Sequence, residues 1–471
     1  MAEVDLAIIG SGSGNSLVTP ELDDKQIAII DHGIFGGTCL NVGCIPTKMF
    51  VYAAEVANTI RDASKYGIDA TLDNVRWADI RDRIFNRIDP ISEAGLEYRR
   101  SGEPNTTAYV GTAEFVGPKQ LRITSPEGAV DLKAEQIVIA AGSRPYIPEV
   151  ITAAGVRYET SDTVMRIPEL PESMIIYGGG FIGAEFAHVF SALGVDVRII
   201  TRGDALLRGE DEEISHAFTT LAREQWTVEL GATVRAARSG HTRANGEHSS
   251  GGVTLICEDG REVSAEMLLV ATGRIPNGDR MNLEAAGIEN EDGRVITDEY
   301  GRTNVEGIWA LGDATNDLQL KHVANQEARA VAHNLVETFN GGSDLRKFDH
   351  RFVPAAVFTH PQIASVGLTE TAAREAGYDV ATHTQKYGDV AYGWAMEDTT
   401  GLVKAVGDRA TGKLLGVHFM GPDASSLIQP AIQALSFDLP VAEMTRGQYW
   451  IHPALAEVLE NALLGLGFNE E

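Results

Sequence analysis

The chain of 471 residues is too long for one hydrophobic core and predicts about three domains, at the usual ~100 to 200 residues each. Its 39 Lys and Arg against 67 Asp and Glu give a net charge of −28, which argues against nucleic acid or an anionic membrane as a partner. Three cysteines, no basic leader and no apolar span of about 18 residues exclude a disulfide framework and a membrane span, and favour a cytoplasmic protein.

The first predicted elements form a βαβ nucleotide-binding unit. A strand at 6–9 leads into a Gly-rich turn and a helix, and a second strand at 26–30 ends in Asp31. Glycines would let a pyrophosphate approach the backbone at the helix N-terminus, and an acid about 20 residues later would bind ribose hydroxyls. The turn contains Gly10, Gly12 and Gly14. Because Asn15 replaces the third motif glycine, the spacing alone also fits an ordinary glycine turn.

A close pair of cysteines follows the first unit. Cys39 and Cys44 lie within GGTCLNVGCIPTK, residues 36–48. A zinc site would need about two more N or S ligands, and the only other cysteine, Cys257, is far away in the sequence. Inert core thiols are the remaining alternative. The favoured interpretation is a dithiol that closes into a disulfide.

A second strand-turn-helix unit carries the complete G-x-G-x-x-G motif. It has strands at 174–177 and 195–200. Its motif glycines are Gly178, Gly180 and Gly183. After the second strand, where an NAD-binding fold would place an acid, the chain has Arg202 and Arg208. Guanidinium groups at this position favour a 2′-phosphate and therefore NADPH, although surface arginines on a loop are the alternative.

The last predicted feature of interest is a histidine next to a helix. Proline is common at the first position of a helix, and Pro453 follows His452 directly. We therefore predict a helix from Pro453 through Leu464. Glu457 would lie about one turn inside this helix. A carboxylate there would hold the imidazole in one tautomer and raise its basicity, as a thiol-activating base requires.

Together these motifs resemble the class I pyridine nucleotide-disulfide oxidoreductases, the family of glutathione reductase, trypanothione reductase and lipoamide dehydrogenase. The resemblance covers essentially the whole chain. Beside the cysteine motif it rests on GGGFIGAEFA (178–187), ATGRIPN (271–277), GIWALGDAT (307–315), HPQIASVGLTE (360–370) and HPALAEVLENAL (452–463). It implies an α/β fold with two Rossmann-like dinucleotide-binding domains and a C-terminal α+β dimerisation domain.

The motif order also implies domain boundaries. An FAD-binding domain would occupy 1–149 and continue at 274–346, interrupted by an NADPH-binding domain at 150–273. A dimerisation domain would occupy 347–471. The polar stretch 238–252 is predicted to be a hairpin loop of the NADPH domain without chemistry of its own.

The resemblance implies a role for each thiol. Cys44 would lie against the flavin as the charge-transfer thiol, while Cys39, more exposed, would attack the disulfide substrate. Lys48 and Glu185 would form an ion pair beside the flavin ring.

The cofactors implied by the resemblance are FAD and NADPH, with no metal. FAD would be held by Gly10, Gly12, Gly14, Asp31, Gly37, Thr38, Lys48, Gly142, Arg274, Gly312 and Asp313. NADPH would be held by Gly178, Gly180, Gly183, Arg202, Arg208 and Gly273. In an obligate homodimer, His452 and Glu457 would serve the dithiol of the partner subunit.

The implied reaction is reduction of a low-molecular-weight thiol disulfide. The C-terminal tail has no cysteine, so the terminal dithiol of a mercuric reductase is absent. GSGSGNS at 10–16 and LKHVANQEA at 320–328 resemble the mycothione reductases within the family. A lipoamide dehydrogenase of a 2-oxoacid dehydrogenase complex, a glutathione-type reductase, and a diaphorase or quinone reductase stay open as alternatives.

Overall fold

The computed structural model describes residues 1–242 and 248–468. Three β-sheets of five or more strands organise the chain, and the described residues also form three smaller sheets. Two of the larger sheets are largely parallel and the third is antiparallel. The predicted α/β fold class, with two Rossmann-like domains and a C-terminal α+β domain, is confirmed, whereas the domain boundaries stay a prediction. Among the described helices none is long and apolar enough to cross a bilayer.

The first sheet has seven strands and contains the N-terminus. Its parallel part runs in spatial order Thr106–Val110, Ile27–Asp31, Ala2–Ile9, Gly128–Ile139 and Ile308–Ala310. The antiparallel part adds Gln120–Ser125 and Thr112–Gly117. Leu6, Ala7 and Ile8 are fully buried, as expected for a parallel strand covered on both faces. The strand Ile308–Ala310 therefore returns the chain to the first sheet after the second has been built.

The second sheet is parallel and has five strands. They run in spatial order Thr227–Glu229, Asp196–Ile200, Ser173–Tyr177, Met267–Val270 and Glu159–Thr160. An antiparallel sheet of Val234–Thr242, His248–Cys257 and Glu262–Ala265 lies beside it. The hairpin predicted over 238–252 is present, and its residues 243–247 lie outside the described residues. Short strand pairs are formed by Ser143–Pro145 with Arg274–Pro276 and by Asn290–Glu291 with Arg294–Val295.

The third sheet is antiparallel and belongs to the C-terminal part. Its spatial order is Ala355–Val357, Gln362–Gly367, Lys413–Gly421, Leu402–Asp408 and Val380–Lys386. Val403 and Phe419 on this sheet are fully buried and share a core with Val458 and Leu459 of the last helix. This packing fixes the C-terminal helix on the sheet.

The helices connect and cover these sheets. In chain order they are α1 Gly37–Asn41, α2 Cys44–Asp62, α3 Trp77–Glu97, α4 Glu149–Ala154, α5 Phe181–Ala192, α6 Glu212–Gln225, α7 Lys321–Phe339, α8 Glu370–Glu375, α9 Ala391–Ala395, α10 Ala424–Leu427, α11 Gln429–Ser436, α12 Val441–Arg446 and α13 Ala456–Leu464. Helices α2, α3 and α5 share a core in which Phe50 stacks on Trp77, and Trp77 contacts Phe190. This core joins the dithiol helix to the second nucleotide-binding unit.

The helix predicted inside the first βαβ unit is wrong. Two short 3₁₀ turns, Ser13–Leu17 and Pro20–Leu22, occupy its place. Gly, Ser and Asn have low helix propensity, and Pro20 has no N–H to continue a helical hydrogen-bond ladder. The second unit has the predicted full helix, α5.

Candidate active site

The Gly-rich turn and the cysteine motif are in direct contact. Gly10 has φ +109°, and a Cβ there would lie 2.2 Å from the carbonyl oxygen of Ala140. Gly37 has φ +73°, and a Cβ there would lie 2.6 Å from the Cα of Gly12. Only glycine fits this approach at both positions. The dithiol segment is therefore fixed against the turn that was predicted to hold a pyrophosphate.

A cavity of about 660 Å³ lies between the turn, the dithiol and the returning strand. The predicted FAD residues on its wall are Gly10, Gly12, Asp31, Gly37, Thr38, Lys48, Gly142, Arg274, Gly312 and Asp313. Gly14 is not on the wall, because it lies behind the turn, where a Cβ would meet Ile8 Cγ2 at 2.8 Å. Cys39, Cys44 and Glu185 border the same cavity. The structure thus brings the predicted flavin residues and the dithiol to one place.

Two carboxylates are fixed at the wall of the cavity. Asp31 accepts hydrogen bonds from the backbone N–H groups of Ser11, at 2.8 Å, and Gly33, at 3.0 Å. Asp313 accepts one from the Ser143 hydroxyl at 2.7 Å, and Arg274 donates to the Ser143 carbonyl at 2.8 Å. Acceptors at fixed positions suit the hydroxyl groups of a ribose and a ribityl chain.

The two thiols lie at the N-terminal end of helix α2, one just before it and one at its first residue. Cys44 is the first residue of α2 and Cys39 lies in α1, and both are free thiols. Asn41, between them, donates to the carbonyls of Phe35, at 2.9 Å, and Gly37, at 3.0 Å. These bonds hold the loop that separates the thiols.

The expectation that Cys39 is the more exposed thiol is wrong for this structure. Cys39 is half-buried and Cys44 is exposed. The reason is that Cys44 borders two openings, the main cavity and a second one lined by Ile45, Lys48, Met49, Tyr52 and Arg83. The position of Cys44 beside the main cavity is the one expected of a thiol that contacts a flavin.

The two thiols differ in acidity. The pKa of Cys44 is lowered to about 7, first by a hydrogen bond from Cys39 and then by the charge of Lys48, while burial and Glu185 oppose the change. The pKa of Cys39 is raised, mainly because it donates that hydrogen bond and because it is buried. A helix N-terminus also favours a thiolate at Cys44. Of the two thiols, Cys44 therefore loses its proton first.

An ion pair connects the dithiol helix to the second nucleotide-binding unit. Lys48 on α2 donates to both carboxylate oxygens of Glu185 on α5, at 2.6 and 2.7 Å. Glu185 is buried and also accepts from the backbone N–H of Phe358 at 3.0 Å. The pair thus fixes α2, α5 and the start of the C-terminal sheet relative to one another.

The second Gly-rich turn has the close approaches that its motif predicts. Gly178 has φ +136°, and a Cβ there would lie 2.1 Å from the Ala271 carbonyl oxygen. A Cβ at Gly183 would lie 2.4 Å from the Gly178 carbonyl oxygen. Gly180 precedes α5, and nothing lies within 4 Å of a Cβ built on it. The backbone at the start of α5 is therefore open to a ligand.

Both arginines predicted to bind the 2′-phosphate follow the strand Asp196–Ile200. Arg202 and Arg208 are exposed. Arg208 lies 3.6 Å from the carboxylate of Asp204, a loose surface pair. Gly273, at φ +122°, lies near the end of the strand Met267–Val270. These residues lie at the carboxyl ends of parallel strands, where nucleotides bind in open α/β sheets.

The predicted histidine-carboxylate pair is formed within the chain. His452 Nδ1 lies 2.8 Å from Glu457 Oε1, and the backbone N–H of Ala454 donates to Glu457 Oε2 at 3.2 Å. The hydrogen bond with His452 lowers the pKa of Glu457. The predicted start of the helix at Pro453 is wrong, since α13 begins at Ala456. The reason is that Glu457 bonds back to Ala454 and stabilises a turn ahead of the helix.

His452 and the dithiol do not meet within one chain. No hydrogen bond joins His452 to Cys39 or Cys44 in the part of the chain that the structure describes, and the His452 side chain is 71% exposed. Tyr449 and Ile451, just before it, are also exposed. The histidine is therefore presented outward, together with apolar side chains.

The sequence reasoning missed a cation in the cavity. Lys321, the first residue of α7, borders the cavity together with both thiols, and its Nζ donates to the Ser13 hydroxyl at 2.8 Å. Lys321 lies in LKHVANQEA, the segment that resembles the mycothione reductases. Its place shortly after GIWALGDAT, at the start of a helix, is the signal that could have found it.

Comparisons with known proteins cover nearly the entire chain. Residues 4–328 match the pyridine nucleotide-disulphide oxidoreductase family and residues 353–463 match its dimerisation domain. Mycothione reductase of Mycobacterium tuberculosis is 56% identical over 469 residues, covering 99% of this chain and 100% of the relative. Mercuric reductase of Streptomyces lividans is 35% identical over 472 residues, covering 97% and 95% of the two chains. The solved structure of the HOCl-induced flavoprotein disulfide reductase RclA from Escherichia coli superposes with a TM-score of 0.82 at 29% identity, covering 98% and 99% of the two chains.

Proposed function

Because this chain belongs to the pyridine nucleotide-disulphide oxidoreductase family, we propose that it is an FAD-containing, NADPH-dependent reductase that converts mycothione to mycothiol. The observation that carries this proposal is the full-length similarity to mycothione reductase. The cavity supports it, since the pyrophosphate turn, the two fixed carboxylates and the dithiol all border one space. We also propose the cytoplasm as its location, because a dithiol of this kind needs a reducing compartment.

FAD fits the main cavity, and the fit rests on the backbone. At Gly10 and Gly37 a side chain would collide with neighbouring backbone atoms, so the turn stays open for a pyrophosphate. Asp31 and Asp313 would accept hydrogen bonds from the ribose and ribityl hydroxyls. When bound, FAD supplies the carrier through which two electrons pass from NADPH to the Cys39–Cys44 disulfide.

We assign the two cysteines to different steps. Cys44, with its lowered pKa and its place at the cavity, holds the thiolate beside the flavin. Cys39 attacks one sulfur of the substrate disulfide, so the substrate S–S bond breaks and a mixed disulfide with Cys39 forms. Cys44 then attacks Cys39, which releases the second thiol and closes the Cys39–Cys44 disulfide.

A proton must reach the first departing thiol, and we assign this transfer to the histidine. His452 would take the proton of Cys39 and give it to the leaving sulfur, with Glu457 keeping Nε2 directed at the dithiol. The match to the dimerisation domain supports a homodimer. Since His452 is exposed in its own chain, we propose that the partner subunit's His452 completes each site.

The nucleotide preference follows from the arginines. Arg202 and Arg208 are exposed at the end of the strand Asp196–Ile200 and offer two guanidinium groups to a 2′-phosphate. An acid would stand there in an NAD-dependent lipoamide dehydrogenase. NADPH is therefore the expected reductant.

The test is a comparison of substrates with the purified holoenzyme. NADPH oxidation would be followed with mycothione, glutathione disulfide and lipoamide, each also with NADH. We expect mycothione with NADPH to give the highest kcat/KM. Preference for lipoamide with NADH, or for glutathione disulfide, would replace the proposed substrate with one of the two alternatives. Reduction of quinones that survives Cys44→Ser, without any disulfide reduction, would indicate a diaphorase.

A further inference from the structure

Hydrogen bonds hold the side chain of Lys321, the first residue of α7, in place. Its Nζ donates to the Ser13 hydroxyl at 2.8 Å, and that hydroxyl donates to the Asn325 side-chain oxygen at 3.2 Å. Asn325 lies one turn further along α7. Ser13 belongs to the Gly-rich turn after the first strand. The ammonium group is thus fixed between the turn and the helix, rather than extended into solvent.

The surroundings of Lys321 differ from those of the other cavity lysine. Lys48 is neutralised by Glu185, whose two carboxylate oxygens lie at 2.6 and 2.7 Å. Among residues 1–242 and 248–468, no carboxylate oxygen lies within 4.0 Å of Lys321 Nζ, and its one hydrogen bond to a side chain goes to a neutral hydroxyl. The positive charge of Lys321 is therefore available to another group in the cavity.

Lys321 and Cys39 border the same cavity, and the contact of Gly37 with Gly12 places the dithiol segment beside the turn whose Ser13 binds Lys321. The unneutralised charge of Lys321 can therefore act on the Cys39 thiol. The charge of Lys321 lowers the pKa of Cys39 against the raising effects of Cys44 and burial, whereas the charge of Lys48 acts on Cys44. A different lysine therefore acts on each thiol, Lys321 on Cys39 and Lys48 on Cys44. Besides these lysines, Glu185 bonds to Lys48 and Arg83 borders the second opening at Cys44. The other charged groups on the wall of the main cavity are Asp31, His32, Arg144, Asp162, Arg274, Arg280 and Asp313. In the proposed dimer the partner subunit's His452 is added to these groups.

We propose that Lys321 is a positioning residue that acts through Cys39, by stabilising the thiolate that attacks the substrate disulfide. The inference rests on the proposed disulfide reductase function. Two electrons and one proton open the Cys39–Cys44 disulfide, which leaves a thiol at Cys39 and a thiolate at Cys44 beside Lys48. Cys39 loses its proton to the partner subunit's His452, and Lys321 stabilises the charge left on sulfur. Cys39 then forms its bond to one substrate sulfur, and the other sulfur departs with the proton from His452.

The experiment measures the reactivity of Cys39 directly. The holoenzyme is reduced anaerobically with one equivalent of NADPH, and alkylation of Cys39 by iodoacetamide is followed by mass spectrometry between pH 5 and 9. Lys321→Met should move the apparent pKa of alkylation upward by about one unit and slow alkylation at pH 7 by roughly three- to tenfold, since a nearby cation is lost. Lys321→Arg should restore the profile, which a purely structural role for the side chain would not predict.

Two further variants keep the result decisive. Lys321→Gln removes the charge but can still bond to Ser13, so it carries the test if Lys321→Met loses FAD. Lys133→Met, an exposed lysine on the outer part of the first sheet, is the control and should leave the profile unchanged. If the wild type reduces mycothione but Lys321→Gln has an unchanged alkylation profile, the inference about Lys321 is overturned. A wild type that reduces no disulfide would instead defeat the proposed function.

Discussion

Cys39 and Cys44 are chemically different although only four residues separate them. Cys44 starts a helix, borders the cavity and receives a hydrogen bond and the influence of a cation, whereas Cys39 donates that hydrogen bond and is half-buried. The spacing of the pair predicted a dithiol, but the sequence could not give their acidity. Acidity depends on Lys48, Glu185 and Lys321, which come from three separate helices. The sequence hinted at Lys321 only through its place at a helix start after GIWALGDAT, and its contact with the Gly-rich turn depends on the folded chain.

We expect the purified protein to be yellow with bound FAD and to show a long-wavelength charge-transfer band after two-electron reduction. Cys44→Ser should abolish the band and Cys39→Ser should retain it, while Cys257→Ala serves as the control. The band requires the Cys44 thiolate, so it should grow as the pH rises through about 7 and fade below that value. Absorbance titration measures both effects. A band lost in Cys39→Ser and kept in Cys44→Ser would reverse the assignment.

Nucleotide choice is a second prediction at the scale of single side chains. A charge-assisted guanidinium-phosphate contact contributes about 1.5 to 3 kcal/mol, or roughly 10- to 150-fold in preference. Arg202→Glu should therefore raise the KM for NADPH by a factor in that range and leave the KM for NADH nearly unchanged. Arg223→Glu, on the exposed side of α6 in the same domain, is the matched control. Equal use of NADPH and NADH by the unmutated enzyme would contradict the assignment.

At the scale of elements, the strands and long helices lie where their sequence patterns predicted them. The two predictions at this scale that were wrong both concern a helix. The strand Ser173–Tyr177 and helix α5 lie where the apolar run and the glycine motif placed them. The first unit has 3₁₀ turns where a helix was predicted, because Gly, Ser and Asn have low helix propensity, Pro20 has no N–H for a helical ladder, and Gly12 packs against Gly37. Helix α13 starts later than predicted because a side chain, Glu457, stabilises the turn ahead of it. Tertiary contacts of this kind cannot be read from local propensity.

The contact between the two glycine-containing segments can be tested with a matched pair of substitutions. Gly37 and Gly155 both have positive φ, at +73° and +62°, so alanine at either should cost about 1 to 2 kcal/mol from backbone strain. Only at Gly37 would the Cβ also collide with Gly12, at 2.6 Å, whereas the space at Gly155 is open. We therefore expect Gly37→Ala to lose most of its FAD and Gly155→Ala to retain it, measured by the ratio of absorbance at 450 and 280 nm. Equal FAD content in the two variants would show that this contact is not needed for the cofactor site.

The turn before α13, which contains His452, gives a fourth prediction, on the role of Glu457 in holding the imidazole. Glu457→Gln removes the carboxylate that holds His452 Nδ1 at 2.8 Å and weakens the bond to Ala454. Disulfide reduction should fall, but by less than the ~10² to 10⁴ expected for His452→Ala, since a positioned acid-base group is worth about that much. Stopped-flow measurement should find flavin reduction by NADPH unchanged in both variants. Loss of flavin reduction in Glu457→Gln would mean that Glu457 supports the whole fold and not only the imidazole.

At the scale of the whole molecule, the first sheet, the dithiol helix and α5 border one cavity, and His452 is not among the residues that line it. The ion pair of Lys48 and Glu185 joins the dithiol helix to the second nucleotide unit, and the backbone of Phe358 joins both to the C-terminal sheet. His452 stands apart from the thiols, exposed beside Tyr449 and Ile451. The family resemblance predicted the homodimer, whereas the residues themselves indicate only that the histidine faces outward. Which chain supplies the base is therefore the central question about the molecule.

The most direct measurement is complementation between two inactive variants. His452→Ala and Cys39→Ser subunits are unfolded together, co-refolded with FAD, and heterodimers are isolated by two different affinity tags. Each heterodimer should contain one site with an intact dithiol and the partner subunit's His452, so it should reduce mycothione with NADPH at about half the wild-type rate, while neither parent homodimer is active. Isolated heterodimers that contain FAD but show no mycothione reduction would contradict the account, because base and dithiol would then have to come from one chain.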